Sequence, residues 1–326
     1  KTYLLVLGWR ISMISEKPIK KLKRCYSGVV TRDRKYYIGT SSASLYFYDY
    51  KSTELIKKFQ DIPYGDKLYL SDDNSLLAVK GTLGKIGVYD IESMKLRFSL
   101  KVKGTSQPQD ANLCFSHCGK FLYNIVYDDD LLSYLMKIKL SDGSYERIYN
   151  QPRESYTQII FVPQHNCYYL FGFERAKENR FFVRMFNLDF IEIDEIVLDE
   201  YTSHVEYSPI EDLFYLKFLQ DYSIKAVDRT FSHVVKEISS ETVTEIIKGN
   251  HSQREVVTSK YGYMSGFSLS KETLFMSISY EQAVVIFDNK GKEQKIFPML
   301  CGNAHFFDGL NEVIIKGEIY QFSVEK

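Results

Sequence analysis

One strand–turn–strand unit recurs along the chain and limits the folds open to it. It reads VVTRDRKYYIG from Val29, LYLSDDNSLLAV from Leu68, LCFSHCGKFLYNIV from Leu113 and IIFVPQHNCYYLFGF from Ile159. It returns as VEYSPIEDLFYLKF from Val205, FSLSKETLFMSIS from Phe267 and HFFDGLNEVIIKG from His305, giving seven copies that start about 38 to 62 residues apart. Each copy holds two apolar runs around a reversal rich in Asp, Asn, Gly, Ser or Pro, the residue types that favour tight turns, so each reads as a β-hairpin. A repeat of this period cannot bury its apolar faces alone and must stack on its own copies.

A second hairpin follows most copies. These begin at Ser44, Lys85, Tyr134, Phe182, Ser223 and Ala283, and most consist of a strand ending near an Asp, a polar turn, and a more charged strand. The charge suits an outermost strand with one edge in solvent. Four strands per unit, with hydrophobicity falling outward, predict an all-β fold: a single β-propeller of about seven four-stranded blades. The expected blades cover approximately residues 25–60, 66–101, 110–150, 156–199, 203–239, 265–298 and 302–326. Aromatic residues at 15% of the chain fit strands, and no sustained apolar spacing of three and four residues supports helices. Seven copies of a unit of roughly 40 residues also argue against a sandwich.

Three segments carry a family resemblance. CFSHCGKFL at Cys114 and VEYSPIEDLFYL at Val205 resemble the hairpin of WD-repeat propellers, and VYDIESMKL at Val88 is similar to that family's third strand with Tyr89 in place of tryptophan. The likeness spans most of the chain but is degenerate: Trp9 is the single tryptophan, and no Gly-His pair opens a blade.

The last copy supplies only three strands, NAHFF, EVIIK and EIYQFSV. PIKKLKR at Pro18 reads like the outer-strand segment LIKKFQD at Leu55, so residues 1–24 are expected to complete the last blade, the ring closing by pairing of N- and C-terminal strands. The stretches Tyr3 to Gly8 and Arg10 to Ser15 then either extend that blade or belong to an eighth.

Propeller function resides on loops held by rigid blades. In this connectivity, the starts of the inner strands and the loops between second and third strands share one end. Aligning the copies puts Ser27, Lys67, Asn112, Gln158, His204, Ser265 and Asn303 at those starts, lining a central channel, with His305 close by. All are polar, which fits a water-filled mouth or a site for a small molecule or peptide. On the same end Tyr64, Arg153, Tyr156, His251 and Arg254 are candidates for protein contact, since Tyr and Arg recur at interfaces. His251 and Arg254 belong to the largest insertion, residues 240–264.

Other constellations favour ordinary readings. Cys114, His117 and Cys118 are divided between a strand and its turn, and a structural zinc site needs four ligands, so no metal is expected. Asp128, Asp129 and Asp130 read as a solvated turn, and the basic run Lys20, Lys21, Lys23 and Arg24 as an exposed edge. No nucleophile elbow or pair of facing carboxylates is present, and no cofactor is implied. Lys plus Arg equal Asp plus Glu at 42 each, which argues against a nucleic-acid partner. Five irregularly spaced cysteines point to reduced thiols in the cytoplasm, and the apolar run Thr2 to Trp9 is too short to span a membrane. The expected role is a binding or scaffolding module, monomeric by itself, for a protein or peptide partner. The alternative is a small-molecule or lactonase- or lyase-like site at the channel mouth.

Overall fold

The computed structural model of the chain describes residues 10–22, 25, 27–41, 44–63, 65–81, 83–101, 112–127, 133–175, 180–218, 223–238, 264–270, 276–280, 283–287, 293–298, 304–307 and 310–325. Strands β1 (Arg10–Ile14) and β2 (Lys20–Lys21) come first. Blade one is β3 (Ser27–Val30), β4 (Tyr36–Ser41), β5 (Ser44–Asp49) and β6 (Leu55–Phe59). Blade two is β7 (Gly65–Leu70), β8 (Leu76–Gly81), β9 (Ile86–Asp90) and β10 (Lys95–Leu100). Blade three is β11 (Leu113–Phe115), β12 (Phe121–Tyr127), β13 (Ser133–Lys139) and β14 (Tyr145–Tyr149). Blade four is β15 (Glu154–Val162), β16 (Cys167–Glu174), β17 (Arg180–Phe186) and β18 (Glu192–Leu198). Blade five is β19 (Thr202–Ser208), β20 (Leu213–Phe218), β21 (Ile224–Val227) and β22 (Val234–Ile238). Blade six is β23 (Met264–Leu269), β24 (Met276–Tyr280), β25 (Ala283–Phe287) and β26 (Glu293–Pro298).

In these six sheets the strands lie side by side in chain order. The chain ends with β27 (Ala304–Phe307), β28 (Glu312–Ile315) and β29 (Glu318–Glu325), which form a five-stranded sheet with β1 and β2, both paired antiparallel to β29. Among the described residues, six blades of four consecutive strands are therefore present where about seven four-stranded blades were expected. The last repeat has residues for only three strands, so the edge of β29 is taken up by the N-terminal segment. Arg10–Ile14 extends this sheet, while Tyr3 to Gly8 lies outside the described residues.

The burial gradient follows from position. Every residue of β8, the second strand of blade two, is buried, whereas most of the outer strand β6 is exposed, as middle strands are covered on both faces and outer strands meet water. Apolar clusters join neighbouring sheets. Ile38 and Phe47 pack with Val79 and Tyr89 across blades one and two, and Ala78 and Val88 pack with Leu122 and Met136 across blades two and three. Tyr123 and Leu135 meet Tyr168 and Phe182, and Tyr169 and Val183 meet Phe214 and Leu216, across the next two junctions. Val284 and Ile286 of blade six pack with Val313 and Phe322 of the composite sheet. That sheet's Phe307 and Ile314 pack with Tyr37 and Tyr48 of blade one.

The turns repeat one chemistry. The hydroxyls of Thr31, Ser71 and Ser116 accept the backbone N–H of Tyr36, Leu76 and Phe121 at 3.1, 3.0 and 3.0 Å. The turns that follow contain a left-handed residue: Arg34, Asn74 and Gly119. In the outer hairpins the Asp that ends the third strand caps the reversal. Asp49 accepts Ser52 N–H at 2.7 Å, Asp90 accepts Ser93 N–H at 2.9 Å, and Asp228 accepts Thr230 N–H at 3.0 Å.

The seam between the composite sheet and blade one is polar at its centre. Buried Glu312 accepts from the Tyr37 hydroxyl at 2.7 Å and the Tyr50 hydroxyl at 3.3 Å. Burial, followed by this carboxylate, pushes the Tyr37 phenol far above its usual range. Lys20 donates to the Tyr50 carbonyl at 2.9 Å and sits 4.4 Å from that ring's centre, and Lys21 pairs with Glu318 at 2.6 Å. Gly317 turns β28 into β29 at φ 83°, and a Cβ there would stand 2.3 Å from the Cys25 carbonyl oxygen. Gly317→Ala is expected to lower stability by roughly 1–3 kcal/mol, read as a drop in the thermal midpoint. An unchanged midpoint would show that the N-terminal segment yields at no cost.

Candidate functional site

Four of the inner strands, β7, β15, β19 and β23, share a device at the end where they begin. The antiparallel register slips by one residue between Gly65 and Lys67, Tyr156 and Gln158, Thr202 and His204, and Met264 and Gly266. Such a bulge re-aims the residue that follows it. Lys67 therefore lies opposite Lys80, Gln158 opposite Phe171, and His204 opposite Lys217. Gly266, opposite Ser279, fills the same place in blade six, and Ser265 is the extra residue of the bulge. The sequence alignment was thus one residue out in this blade, as strand alternation does not reveal a bulge.

Two of these residues bind blades to one another. Asn112 donates its amide to the Ile159 carbonyl at 2.7 Å and accepts Ile159 N–H at 2.8 Å. Gln158 does the same to the next blade, donating to the Val205 carbonyl at 2.5 Å and accepting Val205 N–H at 2.8 Å. Glu206 continues the series by accepting Leu269 N–H at 2.7 Å. Gln158→Leu, which leaves both Val205 backbone groups without this partner, is expected to cost roughly 1–3 kcal/mol, measured by denaturant unfolding. A neutral result would mean that water replaces the amide.

His204 is half-buried, 3.2 Å through Nε2 from Glu206 Oε1, with its ring edge-on to Phe267 at 4.8 Å. Lys67 is half-buried as well. Its neighbour Lys80 is buried and donates to Asn124 Oδ1 at 2.9 Å and the Ile125 carbonyl at 3.2 Å. Burial, and to a lesser degree the charge of Lys67, lower the Lys80 pKa to about 7. Lys217 is buried at the same place in blade five. Neither lysine was singled out from sequence, although each ends a buried apolar run, LLAVK and LFYLK, where a charge is out of pattern.

Ser27 opens β3 opposite Thr40, and half-buried His305 lies on β27 opposite Ile314. Asn303, Tyr64, His251 and Arg254 lie outside the described residues, as do Asp128 to Asp130 and the insertion 240–264 apart from Met264. Arg153 is exposed at φ 69°, its carbonyl accepting Arg175 N–H at 2.8 Å.

Tyr156 requires a correction. It was expected on the loop-bearing face but has no exposed surface. Its hydroxyl donates to Glu154 Oε2 at 2.9 Å and accepts Gln151 N–H at 3.2 Å, while its ring packs 5.6 Å from Tyr149. Glu154 in turn belongs to an ionic cluster on blade four. The Arg184 guanidinium contacts Glu154, Glu192 at 2.7 Å and Glu195 at 2.7 Å, and Tyr149 donates to Glu192 at 2.8 Å. Burial pushes the Glu154 carboxyl up, against the opposing pull of Tyr156 and Arg184.

His117 sits 3.0 Å through Nδ1 from the Tyr168 hydroxyl, and exposed Cys118 is 3.4 Å from Ser116 Oγ. Burial raises the Cys114 thiol to about 12. Among the described residues no group of three His, Cys, Asp or Glu is placed to hold a metal ion, and no helix is long and apolar enough to cross a membrane.

No protein-family model matches the sequence, and no curated protein matches it. Among solved structures, the chain is similar to the β-propeller domain of Cps50 (Swd1) from Myceliophteria thermophila, with a TM-score of 0.68 at 9% identity, over 97% of this chain and 100% of that one. At that identity the likeness concerns architecture, and the architecture of this chain is a WD-repeat-like β-propeller.

Proposed function

We propose that the chain is a rigid binding module that presents the loops at the starts of its inner strands to a protein or peptide partner. One observation carries this reading. Asn112 and Gln158, polar residues at the mouth, each have both amide ends on the backbone of the next blade, and Glu206 holds a third junction. Polar groups engaged in this way stiffen the frame and leave recognition to the loops, where Arg153 is exposed. In the same reading the composite sheet serves as a seventh blade and closes the ring, with Glu312 and Lys20 as its seam. Among the described residues Cys25, Cys114, Cys118 and Cys167 form no disulfide, which supports a reducing compartment such as the cytoplasm.

The test is an affinity capture from native lysate, comparing the intact chain with one whose residues 240–264 are replaced by a short Gly-Ser turn. The expected result is a partner held by the intact chain and lost by the trimmed one at an unchanged thermal midpoint. No specific partner for either form would sink the reading. The second reading, a small-ligand or catalytic site at the mouth, draws on the closeness of Lys67 to the buried Lys80 amine. It predicts that His204→Ala with Lys67→Ala abolishes a ligand-induced rise in melting temperature, and it fails if no anionic or carbonyl compound produces one.

A further inference from the structure

Among the described residues, each outer strand of the six blades is hydrogen-bonded on one side only. Such an edge is a template for another chain, and folded proteins blunt it with charged side chains, lysine above all. Five of the six carry a basic residue there: LIKKF, KLRFSL, YERIY, VVKEI and EQKIFP all contain Lys or Arg. The exception is β18, EIDEIVL, which at seven residues is also the longest of them.

Around it the chain is one-sided in charge. From residue 188 to 201 it carries six acids, at 189, 192, 194, 195, 199 and 200, and no base. Glu192 and Glu195 face Arg184, and Glu200 faces Lys225, but Asp189, Asp194 and Asp199 have no ion pair among the described residues. Ile191, Ile193 and Val197 stand 61%, 52% and 57% exposed on the same segment. An acidic strand with bare aliphatic side chains and no lysine is complementary to one kind of occupant.

We infer that the open edge of β18 docks an extended segment of a partner protein in which Lys or Arg alternates with aliphatic residues. The segment adds as a further strand: backbone hydrogen bonds supply affinity, the aliphatic positions cover Ile193 and Val197, and the basic positions meet Asp194 and the flanking acids. This rests on the binding-module reading but uses the rim of the molecule rather than its loop-bearing face.

The probe is a fluorescein-labelled nonapeptide of alternating lysine and valine, titrated with the full chain at about 0.15 M salt and followed by anisotropy. Saturable binding is expected. Ile193→Lys, shown by its melting curve to be folded, should weaken it at least tenfold, with Val197→Lys as a second variant should the first not fold. A peptide of the same composition with its valines and lysines in two blocks, and one N-methylated at alternate backbone nitrogens, should each bind at least tenfold more weakly. Equal binding of the block peptide would reduce the effect to charge attraction and overturn the proposal, as would a folded Ile193→Lys chain of unchanged affinity. Sedimentation showing self-association that Ile193→Lys abolishes would make a second copy the occupant and likewise overturn it. None of these results touches the loop-dependent capture, so the two readings fail separately.

Discussion

Replacing Arg184 with methionine is expected to destabilise the fold by about 3–5 kcal/mol at neutral pH, seen as a large drop in the denaturant midpoint. The guanidinium is one cation serving three carboxylates, those of Glu154, Glu192 and Glu195, and Glu154 is buried. Methionine preserves much of the side-chain length over the Phe182 ring but leaves Glu154 and Glu192 without this cation, while Glu195 keeps Arg180. Acidification separates charge from packing. Glu154 already has a folded pKa above its ordinary value, so between the two values the folded state binds the extra proton and gains stability as pH falls. Without Arg184 that gain grows, so the deficit should be largest near pH 7 and shrink toward pH 5. Adding Glu154→Gln should recover part of it. A deficit equal at both pH values would assign the cost to packing alone.

The second large effect concerns Lys80. Its pKa falls from 10.5 to about 7 on folding, the reverse of a paired surface lysine. Below about 7 both states hold the proton, and this group adds no slope. Between about 7 and 10.5 the unfolded chain keeps the proton that the folded chain has lost, so stability rises with pH, by up to about 1.4 kcal/mol per unit. Buried Cys25 and half-buried Cys114, with thiols raised to about 12, bring an opposing loss above about pH 9, so the clean window is pH 7 to 9. Lys80→Met should flatten the slope in that window and be more stable than the parent below pH 7, less whatever the unmatched Asn124 oxygen costs. Urea midpoints of the two proteins at pH 6, 7, 8 and 9 are the measurement. Parallel curves would mean that Lys80 remains an ammonium group throughout, held by Asn124 and the Ile125 carbonyl.

What the sequence disclosed was local. Thr31, Ser71 and Ser116 mark turns with their own hydroxyls, and Asp49, Asp90 and Asp228 cap turns two or three residues away, so hairpins stand out in the amino-acid order. What stayed hidden depends on neighbours far along the chain. The partners of Asn112 and Gln158 lie 47 residues away in the next blade, where no local pattern reports them, and both looked like free polar residues at a channel mouth. Tyr156 looked like a loop tyrosine because the polar residues before it, Gln151 to Glu154, resemble a surface turn. One of them, Glu154, instead turns inward to Arg184. A bulge displaced Ser265 by a single residue, enough to put Gly266 where a polar group was expected.

The composite sheet also dictates how the molecule answers tension. In the pairing of β1 with β29, Arg10 lies opposite Glu325 and Ile14 opposite Phe322, so a force drawing residues 10 and 325 apart loads one pair of backbone bonds at a time. Bonds loaded in sequence peel, whereas strands pulled along their length share the load and resist far more. After β1 come the Ser15–Gln321 bond and then the short pairing of Lys20 and Lys21 with Ile319 and Glu318, flanked by the Ile19 and Leu22 N–H groups on the Ile319 and Gly317 carbonyls. Pulled by these two ends, the chain is therefore built to unlatch at this sheet while its six blades stay intact.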